Sequence, residues 1–331
     1  MRTEDEIISN WKDKNSVLVS IICATYNQEM YIEEAINSFL VQKTIFPFEI
    51  IIHDDSSTDA TQSIIKEYQK LYPNIIKCIL QEENQYSKGG FRPLAFAGSY
   101  AKGNYIAFCE GDDYWQDEYK LTKQVNLISK TPEVSLVITD FDIYDMERKK
   151  IFRNNMLKNK ESYMSNLKLE NFILNTPYMA PPSWLFHRKH LPDYKTSYTD
   201  ATFCWFIDFL KTGKVLVIYE PMVVYRKLKE SASHSMNLDK LILREKNILA
   251  TQLKYFYEMK SNSFLIEKAM VNHLQKIIVC MVSRKLTFHS VNYLFSILKM
   301  KYMCRIKIKY IFLLFCAFIP FPYKKIMDIL K

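Results

Sequence analysis

Two alternating hydrophobic periods near the start of the chain restrict its fold more than any other feature of the sequence. Residues 17–24, 48–52 and 75–80 are short apolar runs rich in β-branched side chains, a pattern typical of buried strands. The segments between them place apolar residues at every third or fourth position, which is the spacing of one helix face. Strands that alternate with helices predict a parallel sheet with right-handed crossovers, and continuously apolar strands predict helices on both faces. The expected fold class is therefore α/β.

Two of the predicted strands end in acidic clusters. The run 48–52 leads into Asp54 and Asp55, and the apolar run 105–109 leads into residues 110–113, Glu-Gly-Asp-Asp. Parallel strands share one carboxyl edge, where open α/β sheets bind their ligands. Two like-charged clusters at that edge repel, so we expect a cation, a ligand N–H group or a ribose hydroxyl between them. Carboxylates are ligands that Mg²⁺ and Mn²⁺ prefer, and the alternative is an acidic turn facing solvent.

The glycine and cysteine content excludes several classes of protein. The chain has only six glycines and contains no G-x-G-x-x-G, G-x-x-x-x-G-K-[ST] or G-x-S-x-G motif, which argues against dinucleotide dehydrogenases, P-loop NTPases and α/β-hydrolases. Its seven cysteines are scattered and show no C-x-x-C or zinc-ligand spacing. An acidic N-terminus without an apolar core does not resemble a signal peptide. These features predict a cytoplasmic protein with reduced thiols.

The second half of the chain begins with a further strand at 134–139. Residues 146–180 are polar, with a basic patch at 148–150, and we interpret them as an insertion over the active-site face. An apolar helix is predicted at 201–210, and a strand at 215–219 that continues as an extended segment.

The positive charge of the chain is concentrated at its C-terminal end. The net charge is +9, and residues 268–331 contain twelve lysines and arginines but one acid, Asp328. The pattern is helical from Leu238 onward, and the apolar run 310–323 is shorter than the ~20 residues that a spanning helix needs. We expect residues 299–331 to lie on an anionic membrane surface. A buried helix pair with a basic outer face is the alternative, and nucleic acid is not expected because the basic residues alternate with apolar ones.

The order of the motifs resembles that of the family 2 glycosyltransferases with the GT-A fold. The matching pieces are Val19–Asn27, His53–Asp59 and Gly103–Asp113. The resemblance implies a Rossmann-like, mostly parallel sheet flanked by helices, followed here by an α-helical basic extension. It implies a catalytic domain at 1–236, with a nucleotide-sugar-binding half at 16–140 and an acceptor-side half at 141–236. The helical pattern, not the resemblance, predicts a tail at 237–331.

The resemblance also implies an activity. The expected reaction is inverting transfer of a sugar from a nucleotide-diphospho-sugar, expected to be a UDP-sugar, to a hydroxyl group of a lipid-linked glycan during synthesis of a bacterial surface polysaccharide. The cofactor would be Mn²⁺ or Mg²⁺, and the enzyme would lie on the inner face of the cell membrane.

The resemblance assigns roles to individual residues. The general base would be Asp200, whose alternative role is that of a helix N-cap, and Asp208 is a weaker candidate. Where many relatives have aspartate, this chain has Glu110. The donor would contact Thr25, Tyr26, Asp55, Asp112 and Arg226, and the metal ligands would be Asp112, Asp113 and His234.

Two other functions are weighed against transfer of a sugar. A nucleotidyltransferase also uses acidic metal sites on an α/β fold, but it usually needs a glycine-rich basic loop that residues 17–30 lack. A catalytically inactive member that serves as a scaffold or sugar-binding module is the third hypothesis, and the intact acids argue against it.

Overall fold

The computed structural model describes residues 2–153, 156–193, 200–228 and 238–283. The described residues form two compact units, the first within Met1–Leu169 and Pro177–Lys227, the second within Glu170–Thr176 and Leu228–Lys331. The expected domain boundary after residue 236 stays a prediction.

The first unit alternates strands and helices, as the sequence pattern predicts. Its strands are β1 (Val19–Thr25), β2 (Phe48–Asp54), β3 (Ile76–Leu80), β4 (Tyr105–Phe108), β5 (Tyr114–Trp115), β6 (Val134–Asp145), β7 (Lys150–Phe152), β8 (Trp184–His187) and β9 (Lys214–Lys227). The helices are α1 (Glu4–Ser9), α2 (Ile32–Leu40), α3 (Thr61–Leu71), α4 (Pro93–Gly98), α5 (Lys120–Ile128), α6 (Lys160–Asn166), α7 (Leu169–Asn175), which continues into the second unit, and α8 (Ala201–Thr212).

All nine described strands belong to one sheet, in the order β3-β2-β1-β4-β8-β6-β9-β5, with β7 pairing beside β6. The first four strands in this order are parallel, and so are β6 and β9. Strand β8 is antiparallel to both of its neighbours, β4 and β6. Strand β6 therefore runs in the same direction as β1, β2 and β4, and their carboxyl ends meet at one edge. The expected α/β fold with a mostly parallel sheet is confirmed.

Strand β6 is twice as long as the sequence pattern predicts. The pattern ends the strand where Asp140 begins a run of acidic residues, but the strand continues to Asp145. The Asp140 carboxylate is buried and accepts backbone N–H bonds from Met156 and Leu157 at 2.7 and 2.9 Å. A buried carboxylate is tolerated in the strand because the following loop supplies its donors.

A buried polar network fixes the amino end of β4 beside β1. The Ser20 hydroxyl donates to Glu49 at 2.6 Å, and the same carboxylate oxygen accepts the Lys102 N–H at 2.7 Å. The Gly103 N–H donates to the Ser20 hydroxyl at 2.9 Å. A Cβ atom on Gly103 would lie 2.6 Å from the Ser20 nitrogen, so a glycine is required for the two strands to approach.

Lys120, the first residue of α5, is fully buried. Its Nζ donates to Gln124 Oε1 at 2.8 Å and lies 4.1 Å from the centre of the Trp115 ring. The Gln124 side chain in turn donates to the carbonyl oxygens of Val137 and Ser183. Burial lowers the pKa of Lys120 to about 7, because the charged amine loses its hydration.

The second unit contains two long helices, α9 (Leu238–Glu258) and α10 (Ser263–Ser283). The Gln252 amide donates to the carbonyl oxygens of Ile173 and Leu174, which ties α7 to α9. No helix within the described residues is long and apolar enough to cross a membrane. The rest of the helical pattern, after residue 283, and the expected interfacial segment 299–331 lie outside the described residues.

We expect Lys120→Met to remove a pH-dependent part of the stability of the first unit. The unfolded chain keeps the Lys120 proton up to about pH 10.4, whereas the folded chain releases it near pH 7, so the wild-type protein becomes more stable as the pH rises between these values. The difference in free energy of unfolding between variant and wild type should therefore shift in favour of the wild type by roughly 1.4 kcal/mol per pH unit. Urea unfolding followed by tryptophan fluorescence reports on this unit, which contains all four tryptophans.

The matched control is Lys130→Met, which replaces an exposed lysine just after α5. Its effect on the free energy of unfolding should be the same at neutral and at alkaline pH. If the effect of Lys120→Met on the free energy of unfolding is also independent of pH, the buried Lys120 amine does not lose its proton near pH 7 and the prediction is wrong.

Candidate functional site

The turns after β1, β2 and β4 lie side by side at the carboxyl edge of the sheet. The Asp55 N–H donates to the Thr25 carbonyl oxygen at 3.1 Å, and the Gly111 N–H donates to the Ala24 carbonyl oxygen at 2.9 Å. The strand pairing therefore continues into the turns, and it brings both acidic clusters to the end of β1.

The two acids after β2 hold the surrounding turns. Asp54 accepts from the Ser57 N–H at 2.9 Å and from the Gln62 amide at 2.7 Å. Asp55 is buried, and its two carboxylate oxygens accept the N–H groups of Gln85 and Tyr86, each at 2.9 Å. Asp55 thus anchors the loop after β3 across the edge of the sheet.

The turn after β1 places a tyrosine at the surface beside these loops. Thr25 is buried, whereas Tyr26 is 46% exposed. Asn27 has a positive φ of 51°, and its side-chain oxygen accepts the Thr58 N–H at 2.8 Å. The turn is therefore fixed to the segment after β2, with the Tyr26 side chain accessible to a ligand.

Gly111 allows the acidic turn after β4 to lie against the end of β1. A Cβ atom at this position would lie 2.5 Å from Gln28 Oε1 and 2.9 Å from Thr25 Oγ1. These two oxygens and Glu110 Oε2 are buried and have no hydrogen-bond partner among the described residues. Gln28 was not among the residues predicted for the site, although its position next to the Tyr26-Asn27 turn is a signal that could have identified it.

Asp113 and Arg226 connect the turn after β4 to the end of β9. The Arg226 N–H donates to Asp113 Oδ1 at 2.7 Å, and the Arg226 guanidinium donates to the Asp112 carbonyl oxygen at 2.7 Å. Both Asp113 and Arg226 are buried. Arg226 therefore holds the backbone of the acidic turn as well as supplying a positive charge to it.

The guanidinium of Arg226 is enclosed by other side chains. It forms an ion pair with Glu34 of α2. It also lies 4.5 Å from the centre of the Tyr114 ring and 5.3 Å from that of Tyr31. Glu34 was not among the residues predicted for the site, because a glutamate on a helix is most often a solvent-exposed residue.

The acidic turn carries more negative charge than Arg226 neutralises. Burial and the Asp112 charge raise the pKa of Glu110 to about 8. Burial, together with the charges of Asp112 and Glu110, raises the pKa of Asp113 well above its usual range, although Arg226 opposes this. Burial also raises the pKa of Asp112, against the lowering effects of Arg226 and Gln28. A bound cation at this turn would favour the ionised carboxylates.

The carboxylate oxygens of the turn fit a divalent ion that is bound jointly by the protein and by substrate phosphates. No group of three or more His, Cys, Asp or Glu residues in the described part of the chain is arranged to hold a metal ion. Mg²⁺ is usually bound through one or two carboxylates together with substrate phosphates, which requires no complete protein cage. The Asp112 and Asp113 carboxylates, with the unpartnered Glu110 Oε2 nearby, agree with that kind of site.

Asp200 caps the amino end of α8. Its Oδ1 accepts the Phe203 N–H at 3.1 Å and the Thr202 hydroxyl at 3.0 Å. The predicted helix and its N-cap are thus present, while the role of Asp200 as a base stays a prediction. His234, the predicted metal ligand from the second half of the chain, lies outside the described residues.

Comparison with known proteins gives one family match and several relatives. The model for glycosyl transferase family 2 matches residues 20–194, more than half of the chain. An uncharacterized protein of Mycobacterium tuberculosis is 33% identical over 225 residues, which are 67% of this chain and 62% of that protein. WfaP of Escherichia coli, a UDP-Glc:alpha-D-GlcNAc-diphosphoundecaprenol beta-1,3-glucosyltransferase, is 40% identical over 131 residues, covering 40% of this chain and 47% of WfaP.

The crystal structure of S. aureus TarS 1–349 in complex with UDP-GlcNAc has a TM-score of 0.51 at 18% identity, and covers 85% of this chain and 89% of that chain. This likeness confirms the expected GT-A fold. The chain spans about 62% of the length of the mycobacterial relative. The family match runs through the turns after β1, β2 and β4 that build the site, and the chain therefore belongs to glycosyl transferase family 2.

Proposed function

We propose that this chain transfers a sugar from a nucleotide-diphospho-sugar, with a UDP-sugar expected, to a hydroxyl group of a lipid-linked glycan in surface-polysaccharide synthesis. The observation that carries the proposal is the buried carboxylate turn at 110–113. Gly111 allows it to pack against the end of β1, and Arg226 ties it to the end of β9. Membership of glycosyl transferase family 2 supports the same reaction.

The donor would lie across the turns at the carboxyl edge. Thr25 and Tyr26 would contact the base and ribose, with the exposed Tyr26 ring covering the base. Asp55 would accept a hydrogen bond from the base, using lone pairs that its bonds to the loop after β3 leave available. Asp112 would contact the ribose.

The diphosphate would lie beside Asp112 and Asp113. A bound Mn²⁺ or Mg²⁺ would supply the positive charge that neutralises the diphosphate as it departs. Asp112 and Asp113 would hold that ion, together with His234 from the segment outside the described residues. Arg226 would keep Asp112 and Asp113 in place and add a positive charge near the leaving group.

The transfer itself needs one base and no covalent enzyme intermediate. The acceptor hydroxyl oxygen forms a bond to the anomeric carbon while the bond from that carbon to the diphosphate oxygen breaks. The hydroxyl proton passes to Asp200, and the electron pair leaves with the nucleoside diphosphate. Attack from the face opposite the leaving group inverts the anomeric configuration.

The acceptor class and location are part of the same proposal. WfaP acts on a diphosphoundecaprenol-linked acceptor, as its name states, and it is similar to this chain over 131 residues. We propose a similar lipid-linked acceptor here. The enzyme would be peripheral on the cytoplasmic face of the membrane, with residues 299–331 on the lipid.

We expect Asp113→Asn to reduce release of nucleoside diphosphate by roughly 100-fold or more, since a carboxylate that would hold the divalent ion beside the departing diphosphate is lost. Asparagine keeps an oxygen that can accept the Arg226 N–H, so the turn should stay folded. The measurement is release of nucleoside diphosphate from a panel of nucleotide-sugars with Mn²⁺ or with EDTA, alongside calorimetric donor binding.

The control for this variant is Glu118→Gln, which removes a half-exposed carboxylate paired with Lys43 on a nearby segment. It should release nucleoside diphosphate at the wild-type rate. Absence of metal-dependent release and of metal-dependent donor binding in the wild-type protein would contradict the proposed reaction. Release of pyrophosphate from a nucleoside triphosphate would indicate a nucleotidyltransferase instead.

We expect Asp200→Asn to keep donor binding but to lower sugar transfer by about 10²-fold or more, because an amide cannot take the acceptor proton. Asparagine is as good an N-cap as aspartate, so α8 should remain stable and the comparison isolates the charge. Donor affinity and thermal unfolding are measured beside transfer. Glu118→Gln again serves as the control and should transfer sugar at the wild-type rate. Asp208→Asn tests the weaker candidate for the base, and normal transfer by Asp200→Asn would leave Asp200 as a cap only.

A further inference from the structure

A basic and apolar surface lies beside the candidate site and has no role in the proposed reaction. We call it the basic hairpin surface; it consists of residues 147–153, around the turn between β6 and β7, and residues 157–164, leading into α6. Every residue in 147–153 and in 157–162 is exposed. These exposed residues include six lysines and arginines and two acids.

The two segments form one surface because both are attached to β6. The Arg153 guanidinium lies 3.6 Å from the Asp142 carboxylate. Two residues earlier in the strand, Asp140 accepts the Leu157 N–H at 2.9 Å. The hairpin and the segment after it therefore lie together along the carboxyl half of β6.

The surface is at the same edge of the sheet as the acidic turn. Tyr144 of β6 is paired with Arg226 of β9, whose N–H bonds to Asp113. From Tyr144 the chain advances five residues to the hairpin turn at Lys149, a distance of at most roughly 17 Å at ~3.3 Å per residue. The turn of the hairpin thus extends outward from the edge where the donor and acceptor would meet.

Contacts within the chain neutralise little of this positive charge. Arg148 approaches Asp145 only to 3.9 Å, and its side chain remains 71% exposed. Arg153 remains 67% exposed beside Asp142. Ion pairs between such exposed side chains are weak and are screened by salt. These cations stay available to an anionic partner.

Apolar side chains are interleaved with the cations. Ile151 and Phe152 are exposed on the short strand β7, which is an edge strand beside β6. Leu157 and Met164 are 44% and 49% exposed. A mixed apolar and basic surface is typical of segments that lie in the headgroup region of an anionic bilayer. A polyanion in water would match only the cations.

We propose that the basic hairpin surface docks the first unit onto an anionic phospholipid bilayer. Its cations contact lipid phosphates, and Phe152 and Ile151 enter the boundary between headgroups and acyl chains. This contact is separate from the one expected for residues 299–331. The biological purpose rests on the proposed function, because docking at this edge brings a lipid-linked acceptor to Asp112 and Asp113; the docking itself does not depend on that function.

The first test is vesicle co-sedimentation of the full chain carrying Lys149→Glu and Lys150→Glu. On vesicles of phosphatidylglycerol and phosphatidylcholine, the partition coefficient should fall at least ~10-fold, since each basic residue near an anionic surface contributes to binding. The matched control, Lys66→Glu with Lys70→Glu on exposed positions of α3, makes the same change in net charge and should bind nearly as the wild type does. Equal binding by the two double variants would overturn the proposal.

The second test reports on the hairpin itself, whatever the tail contributes. In Phe152→Trp, vesicles that contain brominated acyl chains should quench the added fluorescence, measured as the difference from wild type. The control is Tyr100→Trp, which replaces an exposed tyrosine just before β4, at the opposite edge of the sheet, and should not be quenched. No quenching at position 152, or equal quenching at both positions, would overturn the proposal. Binding of DNA or heparin by the protein would not rescue it if either of these results is found.

Failure of the docking and failure of the proposed function are distinguishable. Release of nucleoside diphosphate without vesicles should be the same for wild type and for the Lys149→Glu and Lys150→Glu variant. Normal release with unaltered vesicle binding overturns the docking alone. Quenching at position 152 without any metal-dependent release supports the docking and contradicts the proposed function.

Discussion

The bonds of Arg226 to the acidic turn are the interaction on which the rest of the site depends. Burial removes hydration from the carboxylates of this turn and raises the pKa values of Glu110, Asp112 and Asp113, and the neighbouring negative charges raise those of Glu110 and Asp113 further. Arg226 opposes this with its charge and with two hydrogen bonds to the turn. Its own charge is balanced by Glu34, so the arrangement connects α2, β9 and the turn after β4. Arg226 thus holds the backbone of the turn in place, and a bound cation would favour the ionised carboxylates.

The polar groups discussed at the two edges of the sheet differ in whether they have hydrogen-bond partners. At the amino edge, Glu49 accepts the Ser20 hydroxyl and the Lys102 N–H, Ser20 accepts the Gly103 N–H, and these hydrogen bonds fix β4 beside β1. At the carboxyl edge, Thr25 Oγ1, Gln28 Oε1 and Glu110 Oε2 are buried without a partner among the described residues. Buried polar groups are nearly always paired in folded proteins unless a ligand or water completes them. These unpartnered oxygens support the proposed ligand site at the carboxyl edge, where open α/β sheets bind their ligands.

Particular elements show how far the sequence pattern could be interpreted. The first three strands and the helices between them follow from hydrophobic period, because β1 and β2 are buried along their length, the edge strand β3 is buried in part, and α2 buries one face. The central antiparallel strand β8 was not predicted, since a four-residue apolar run after two prolines has no period to measure. Strand β6 was predicted too short because the acids in its second half resemble a loop. Tertiary hydrogen bonds to Asp140 keep that half in the sheet.

The linear sequence determined the fold class, the family and the positions of the acidic turns, because each depends on neighbours along the chain. Strand ends, a glycine between carboxylates and a helix cap at Asp200 are all local patterns. Tertiary structure alone decided how the turn at 110–113 is neutralised, since its cation, Arg226, lies 113 residues away from Asp113 in the chain. It also decided that Gln28 and Glu34 belong to the site and that the basic hairpin surface lies beside it. Such contacts depend on which strands become neighbours in the sheet. A local sequence pattern does not specify which distant segments will meet.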